Sequence, residues 1–299
     1  MRHERSRLRT AAVTPARSKP DIESPQARAA LAWAHSARFL TTASQLDQLP
    51  PAALPEIAFV GRSNAGKSST INALAQHKRL AFSSRTPGRT QHINLFEVGP
   101  KLAPNALFAD LPGYGYAAVE RGAKLRWQRV MAEYLRERQS LAGLVLLVDS
   151  RLGLTELDQR LLALVAPRLA GGAVRLLVLL TKADKLNRRD AALALAACEN
   201  VLAPLLADGA DVGLSLFSAL SRQGLADVAD ALHGWLGPAV NATSDASAAA
   251  DADADADADA GAEASAAAAA AAATPAKKRS TMCPMRERKA KWTCPTTCK

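Results

Sequence analysis

The segment "FVGRSNAGKSST", residues 59–70, constrains the fold more than any other part of this 299-residue chain. Gly61, Gly66, Lys67 and Ser68 match the pattern G-x-x-x-x-G-K-[ST], between an apolar run and a helical pattern. A loop of this kind points backbone N–H groups at a phosphate chain, at the N-terminus of a helix. We expect Lys67 to reach the β- and γ-phosphates and the Ser68 hydroxyl to bind Mg²⁺. Because the motif connects a buried strand to a helix, it predicts an α/β fold.

Other apolar runs extend this prediction to a whole sheet. Strands are expected at 56–61, 92–98, 106–110, 144–150, 174–181 and 213–218. Most are apolar on both faces, as parallel strands covered by helices are, whereas 92–98 and 106–110 predict an antiparallel hairpin. Helical patterns follow Lys67 and cover about 127–135, 155–165, 190–206 and the residues from about 226. The predicted fold class is α/β, a P-loop NTPase domain with a mostly parallel sheet, one antiparallel hairpin strand and helices on both faces.

Both ends of the chain lack the bulky apolar side chains that a core needs. Residues 1–35 are rich in arginine, and residues 241–299 pass from Asp-Ala alternation to a Lys/Arg-rich end. We therefore predict a basic disordered arm over 1–35, one domain over 36–240, and a low-complexity disordered tail over 241–299. The net charge of +10 suggests a polyanionic partner such as RNA or a ribosome. Solvated tails that keep the protein soluble explain the same charge equally well.

The cysteines and the hydropathy pattern bear on location. Cys198 lies in a helical pattern, whereas Cys283, Cys294 and Cys298 lie in the tail without paired C-x-x-C spacing. The three tail cysteines could bind zinc, but they lack the usual ligand spacing. We expect no secretory signal before the domain and no apolar run of the roughly 20 residues that span a membrane. The sequence therefore predicts a cytoplasmic protein in a reducing compartment, with no membrane contact.

The stretch "TKAD", residues 181–184, follows a predicted strand and predicts the base. The Asp184 carboxylate can accept two hydrogen bonds from guanine, at N1–H and the exocyclic amine, and adenine offers no such pair. Lys182 would lay its stem along the base. "FSAL", residues 217–220, would add backbone N–H groups beside it. These features favour GTP over ATP and argue against a P-loop kinase or ATPase.

Two further segments concern the γ-phosphate and the metal. In "DLPG", Asp110 ends a predicted strand and would hold Mg²⁺ through water, and the Gly113 N–H would bond the γ-phosphate. Asp149 ends another apolar strand and is a rival, but the spacing to Gly113 favours Asp110 and leaves Asp149 as a strand-end or capping carboxylate. Thr90, in "RTPGRTQH", is a candidate second hydroxyl ligand of Mg²⁺ that would couple the γ-phosphate to loop order.

The exact residues of these motifs closely resemble those of one protein family. "GRSNAGKSS", "TPGRTQHINLFEV", "DLPGYGYA", "VLLTKADK" and "FSAL" are similar to the EngB (YihA/YsxC) family of ribosome-biogenesis GTP-binding proteins, within the TrmE-Era-EngA-YihA-Septin-like GTPase superfamily. The resemblance covers about 39–236 and neither tail. It implies an EngB-type G domain over 36–240 that binds GTP or GDP with Mg²⁺. It also implies a monomeric GTPase that acts with rRNA and ribosomal proteins in assembly of the large ribosomal subunit. The resemblance further implies that this GTPase is required for normal cell division and septum formation.

The resemblance carries the family's site residues onto this chain by position. The implied nucleotide contacts are Gly61, Arg62, Ser63, Asn64, Ala65, Gly66, Lys67, Ser68, Gly88, Arg89, Thr90, Gln91, His92, Asp110, Leu111, Pro112, Gly113, Thr181, Lys182, Ala183, Asp184, Phe217, Ser218 and Ala219. The implied magnesium ligands are Ser68 and Thr90, and the implied catalytic residues are Lys67, Thr90, Gly113 and Asn64.

At three positions the residue either differs from that of Ras-like GTPases or affects the expected rate of GTP hydrolysis. Tyr114 stands where those proteins place a water-orienting Gln, and a phenol cannot position water as an amide does, so we expect slow intrinsic hydrolysis. Asn64 stands where cation-dependent GTPases seat K⁺, which suggests stimulation by K⁺ or by the ribosome; otherwise Asn64 only stabilises the loop. Thr181 replaces an Asn and loses the paired geometry of the amide. An RNA- or ribosome-binding scaffold whose nucleotide is structural remains the alternative function.

Overall fold

A computed structural model describes residues 9–10, 24–81, 92–115 and 121–236, with the backbone only for 9–10 and 121–127. The predicted tail, with Cys283, Cys294 and Cys298, lies outside these ranges. Four of the predicted site residues also lie outside them, namely Gly88, Arg89, Thr90 and Gln91.

The described strands form a single eight-stranded sheet. They are β1 (Arg9–Thr10), β2 (Arg38–Ala43), β3 (Glu56–Gly61), β4 (Ile93–Val98), β5 (Ala106–Asp110), β6 (Leu141–Asp149), β7 (Arg175–Thr181) and β8 (Val212–Leu216). The order across the sheet is β1-β8-β7-β6-β3-β5-β4-β2. Strand β4 runs antiparallel to both of its neighbours, β2 and β5, and the other pairs are parallel. The prediction of a mostly parallel sheet with one antiparallel hairpin strand is confirmed.

Helices cover both faces of the sheet, as predicted. They are α1 (Pro25–His35), α2 (Lys67–Leu74), α3 (Arg121–Glu137), α4 (Glu156–Ala170), α5 (Arg188–Ala207) and α6 (Leu225–Gly234), with 3₁₀ turns at Leu46–Gln48 and Ala183–Lys185. Alternate residues of β3 divide the core, because successive side chains of a strand point to opposite faces. Ile57 and Phe59 pack with α1, α2 and α6, whereas Ala58 and Val60 pack with α3, α4 and α5.

Helix α1 corrects the predicted domain boundary, since it lies in the part of the chain assigned to a disordered arm. The Ser24 side chain caps it by accepting a hydrogen bond from the Ala27 N–H at 3.1 Å. Trp33 is buried and meets Phe108 edge to face, with ring centroids 5.5 Å apart. The ordered domain therefore includes residues from Ser24 onward, and the predicted start at residue 36 is wrong.

A buried ionic network fixes the end of α3. The Glu56 carboxylate, which is 0% exposed, accepts hydrogen bonds from the Tyr134 hydroxyl and from the Arg138 guanidinium, the latter at 2.6 Å. Arg168, on α4, donates to the carbonyls of Leu135 at 2.9 Å and Arg138 at 3.0 Å. Burial and the neighbouring Glu56 raise the pKa of Tyr134, so its hydroxyl remains a donor. The far end of α3 is thus held by groups that are remote from the Gly61–Ser68 loop.

Helix α5 is a long apolar segment of the kind that the sequence analysis expected to be absent. It is 20 residues long, and its length and composition are those of a helix that could cross a membrane. The expectation that no such run exists is therefore wrong on those two criteria. In the fold, Leu195, Cys198 and Leu202 of this helix are buried against the sheet, and 17% of its apolar window is buried in all.

Candidate nucleotide-binding site

The Gly61–Ser68 loop has a backbone that only small residues permit. A Cβ on Gly61 would lie 2.6 Å from the Leu147 carbonyl oxygen of β6, so β3 and β6 can approach only with glycine there. Gly66 has a φ of 97° and Asn64 a φ of 65°, both in the left-handed region. The chain therefore turns sharply after β3, and the N-terminus of α2 faces the loop, which is the arrangement that binds phosphate.

Lys67 and Asp110 meet at the bottom of this loop. The Lys67 ammonium contacts Asp110 Oδ1, and both side chains are buried. Asp110 Oδ2 is also buried and has no hydrogen-bond partner. A buried carboxylate oxygen without a partner is uncommon in folded proteins and calls for a ligand or an ion.

The donor set beside Asp110 suits magnesium. Ser68, which follows Lys67, offers a hydroxyl, and Asp110 offers the unpaired oxygen, so the available ligands are hard oxygen atoms. Within the described ranges there is no group of three or more His, Cys, Asp or Glu side chains that could hold a metal. Mg²⁺ needs no such cage, because it keeps several waters and is bound through one or two protein groups plus phosphate oxygens. Thr90, the other predicted ligand, lies outside the described residues.

Asp149, the rival to Asp110, is engaged elsewhere. Its carboxylate accepts hydrogen bonds from Arg151 at 2.9 and 2.7 Å and from Lys182 Nζ at 2.8 Å. The hydrogen bonds from Arg151, followed by those from Lys182, hold the pKa of Asp149 well below its usual value despite desolvation. Lys182 Nζ also donates to the Asn64 carbonyl at 2.8 Å. Asp149 therefore orients the lysine that connects the TKAD segment to the phosphate loop, a role beyond the predicted strand-end carboxylate.

Thr181 provides a second connection to the loop. Its hydroxyl lies 2.6 Å from the Ala65 carbonyl oxygen and 3.1 Å from the Val148 carbonyl oxygen. A hydroxyl has one proton to donate, and the shorter distance selects Ala65. Thr181 thus gives the phosphate loop a direct side-chain hydrogen bond although it lacks the paired geometry of an amide.

Asp184 is oriented by Ser218, which the sequence analysis predicted only as a nucleotide contact. The buried Ser218 hydroxyl donates to Asp184 Oδ1 at 2.6 Å and accepts from the Ser221 N–H at 3.2 Å. This hydrogen bond is the first cause that lowers the pKa of Asp184, so the carboxylate is ionised at neutral pH. The Ala183 N–H donates to the Phe217 carbonyl at 3.1 Å and joins the two loops.

The TKAD and FSAL segments line a cavity next to the start of α2. It has a volume of about 620 Å³, and its lining includes Gly66, Thr181, Lys182, Asp184, Phe217 and Ala219. The cavity begins at the N-terminus of α2 and continues past the Asp184 carboxylate. Its polar groups match a guanine base held next to a phosphate chain, because a carboxylate can pair with both guanine donors.

The DLPG segment packs directly on the phosphate loop. A Cβ on Gly113 would lie 3.2 Å from Ser63 Cα, so this close approach depends on glycine. The Tyr114 N–H donates to the Gly61 carbonyl at 3.3 Å, and the Tyr114 carbonyl accepts from the Ser63 N–H at 2.9 Å. The Tyr114 hydroxyl donates to Asp158 Oδ1 at 2.6 Å. The phenol is therefore engaged with helix α4 in this structure.

The remaining predicted residues are placed as follows. Leu111 and Pro112 are buried between Asp110 and Gly113. Arg62 is half-buried, and its Nε has no hydrogen-bond partner. His92 is exposed at the start of β4, with its Nδ1 2.8 Å from Ser44 Oγ. Sequence reasoning missed Asp158, whose only signal was its position three residues after Thr155, typical of a helix N-terminus.

One solved structure shows the same fold, and a second matches with a lower TM-score. Era in complex with MgGDPNP and nucleotides 1506–1542 of 16S ribosomal RNA matches with a TM-score of 0.50 and 20% identity, over 62% of this chain and 57% of that chain. A crystal structure of a probable GTP-binding protein EngB matches over 60% of this chain and 98% of that chain, with 20% identity and a TM-score of 0.45.

Sequence comparisons are more specific. Residues 56–182 match the family model described as 50S ribosome-binding GTPase. The "Probable GTP-binding protein EngB" of Acidovorax ebreus is 57% identical over 208 residues, which are 70% of this chain and 92% of that protein. The protein of the same name from Polaromonas sp. is 56% identical over 212 residues, 71% of this chain and 83% of that protein. With these identities over most of the length of its relatives, and with a P-loop on which a DLPG segment and a TKAD segment both pack, this chain belongs to the EngB family of GTP-binding proteins, in the GTPase superfamily.

Proposed function

We propose that this protein is a slow, Mg²⁺-dependent GTPase switch that acts in the cytoplasm in assembly of the large ribosomal subunit, and that normal cell division and septum formation depend on it. The observation that carries the guanine part is the Asp184 carboxylate, which Ser218 orients beside the phosphate loop. The ribosomal part is supported by the matched family model, described as 50S ribosome-binding GTPase, and by the net charge of +10.

The side chains of the site suggest how the triphosphate is accommodated. When the phosphates bind, Lys67 exchanges its contact with Asp110 for the β- and γ-phosphates, and this frees the carboxylate to hold waters. The Ser68 hydroxyl and Asp110 would hold Mg²⁺, which neutralises charge on the phosphate oxygens. The Gly113 N–H is the group that would distinguish a γ-phosphate from its absence. Thr90 is proposed as the second hydroxyl ligand.

The proposed turnover is low because no amide orients the attacking water. Tyr114 occupies that position in the sequence, and its hydroxyl is bound to Asp158. K⁺ seated beside Asn64, or contact with the ribosome, would supply the missing stabilisation of charge. Equal hydrolysis rates in K⁺ and in Na⁺, with and without ribosomal subunits, would rule out both sources of stimulation.

Asp184→Asn tests the proposed base recognition. An amide presents one acceptor and one donor where the carboxylate presents two acceptors, so one guanine donor loses its partner, at a cost of about 1–3 kcal/mol or more. Xanthine carries a carbonyl in place of the exocyclic amine, and the Asn side chain can donate to it. We therefore expect Asp184→Asn to lose GTP affinity and to gain affinity for xanthosine triphosphate. Unchanged GTP binding would contradict the proposed role.

Co-sedimentation tests the ribosomal role. The protein is mixed with purified ribosomal subunits in the presence of GTP, GDP or no nucleotide. The switch predicts association with the large subunit that depends on GTP in the wild type and is lost in Asp184→Asn. Association that changes neither with the nucleotide nor with the substitution would favour a scaffold whose nucleotide is structural. No association under any condition would reject the ribosomal partner.

A further inference from the structure

The hydrogen bond between Tyr114 and Asp158 joins the nucleotide site to a helix outside the recognised motifs. Tyr114 is buried, and Asp158 is 1% exposed. The donor–acceptor distance is 2.6 Å, which is typical of a hydroxyl that donates to a carboxylate. Desolvation, followed by the nearby Asp158 charge, raises the pKa of Tyr114 above its usual value, so the phenol keeps its proton.

Asp158 is itself fixed in position. Its second oxygen, Oδ2, accepts the Thr155 N–H at 2.7 Å, which is one half of the capping box of α4, and also lies 2.6 Å from the Thr155 hydroxyl. Both carboxylate oxygens are therefore used, one for the helix and one for Tyr114. A carboxylate held in this way fixes the place of the phenol ring.

The position of Tyr114 determines the position of Gly113. The backbone of Tyr114 is paired with the phosphate loop on both sides, through the Gly61 carbonyl and the Ser63 N–H. Gly113 already lies so close to Ser63 that an added Cβ would be 3.2 Å from its backbone. Release of the ring would remove the side-chain anchor that supplements these backbone bonds, so the Gly113 N–H would be held in place less tightly.

The first turn of α4 makes a second contact with the same segment. A Cβ on Gly115 would lie 3.1 Å from Leu157 Cδ1 and 3.2 Å from Arg62 Nε. The two residues that follow Gly113 thus both lie against α4, Tyr114 through a hydrogen bond to Asp158 and Gly115 through its closeness to Leu157.

From this geometry we propose that Asp158 is a positioning residue for nucleotide discrimination, because through Tyr114 it holds the Gly113 N–H at the γ-phosphate position. The inference rests on the proposed GTP-binding function and adds a residue of α4 to it. Since the Gly113 N–H meets only the γ-phosphate, its displacement weakens binding of the triphosphate and leaves binding of the diphosphate intact. Helix α4 therefore contributes to the preference for GTP over GDP.

Tyr114→Phe tests the proposal, because it removes one hydroxyl and keeps the ring. Dissociation constants of GMPPNP and GDP are measured with Mg²⁺, together with the melting temperature. We expect the GMPPNP affinity to fall about tenfold, about 1.4 kcal/mol, as for a misplaced hydrogen bond to a charged group. The GDP affinity is expected to stay within about twofold of the wild type, since the other phosphate contacts are unchanged.

Tyr134→Phe is a matched control. Tyr134 is also buried and also donates its hydroxyl to a buried carboxylate, that of Glu56, but this pair lies at the opposite end of β3 from the phosphate loop. Its loss is expected to lower the melting temperature without changing the ratio of GMPPNP to GDP affinity. The control therefore separates loss of stability from loss of positioning.

Asp158→Ala is the second variant and applies also if Tyr114→Phe fails to fold. It removes both carboxylate oxygens, so Tyr114 loses its acceptor, and the ratio of GMPPNP to GDP affinity should fall in the same direction. A ratio equal to that of the wild type in either folded variant overturns the proposal. If the wild-type protein itself binds neither GMPPNP nor GDP, the proposed function fails instead.

Discussion

Replacement of Thr181 by Val tests how the TKAD segment supports the phosphate loop. The substitution exchanges a hydroxyl for a methyl group of similar size at the end of β7, where Thr181 is buried. The lost hydroxyl lies 2.6 Å from the Ala65 carbonyl. The first backbone bond of α2 runs from the Thr70 N–H to the Gly66 carbonyl, so the Ala65 carbonyl lies outside the helical ladder.

The expected magnitude follows from that orphaned carbonyl. A buried acceptor that loses its donor costs about 1–3 kcal/mol, and the free energy of unfolding should fall by that amount. The loop is then less well ordered before the nucleotide binds. Affinities for GDP and GMPPNP should fall together, by about twofold to tenfold, because both ligands use the same loop. Urea unfolding and nucleotide titrations measure the two effects.

Thr70→Val is the control for this experiment. The Thr70 hydroxyl also donates to a carbonyl of the loop, that of Gly66, at 3.1 Å. The Gly66 carbonyl, however, keeps the backbone N–H of Thr70 at 2.9 Å, so no acceptor is orphaned. We expect a loss of stability below about 1 kcal/mol. Equal losses in the two variants, or a selective loss of GMPPNP binding in Thr181→Val, would refute the reasoning.

Two further predictions concern buried and ionised groups. Arg138→Leu leaves the Glu56 carboxylate buried without its cation, so the free energy of unfolding in urea should fall by about 3–5 kcal/mol. A second change, Glu56→Gln, removes the unpaired charge and should restore part of this stability. A fall below about 1 kcal/mol would contradict the ionic network. For Asp149, whose pKa is held below its usual 3.8 by Arg151 and Lys182, the folded state releases the proton at lower pH than the unfolded chain. The ionised Asp149 contributes its full stabilisation at pH values above its pKa in the unfolded chain. This stabilisation is lost as the pH falls from that pKa to the lower pKa of the folded protein. Asp149→Asn should therefore narrow the difference in stability between about pH 7 and about pH 3, and an unchanged difference would contradict the lowered pKa.

The fold was predictable where local rules are strong. Strand β3 and the Gly61–Ser68 loop follow from the motif, and the other buried strands follow from short apolar runs between turn residues. Strand β2 and helix α1 were missed for physical reasons. Three of the six residues of β2 are exposed and only Ala43 is buried, because the strand lies at the edge of the sheet, so no alternation of apolar and polar residues marks it. The buried stripe of α1 consists largely of alanine, with only Leu31 and Trp33 as large members.

The sequence predicted candidate nucleotide-binding groups, but the contacts that support them could not be predicted from it. The motifs predicted Lys67 and Asp184 because phosphate and guanine recognition need those side chains at those spacings. Ser218 and Asp158 act on other side chains, and the residues that they contact are distant in the sequence, 34 and 44 positions away. A hydrogen bond between a loop and a helix leaves no periodic pattern, so only the folded chain shows it.

The most direct test of this account is the choice of purine. The purified protein is titrated with GTP and with ATP in the presence of Mg²⁺. Because the Asp184 carboxylate can pair with both guanine donors and would remain unpaired against adenine, we predict that GTP binds more tightly, by a factor on the order of a hundred or more. Binding of ATP as tight as that of GTP would contradict the assigned base site and the switch built on it.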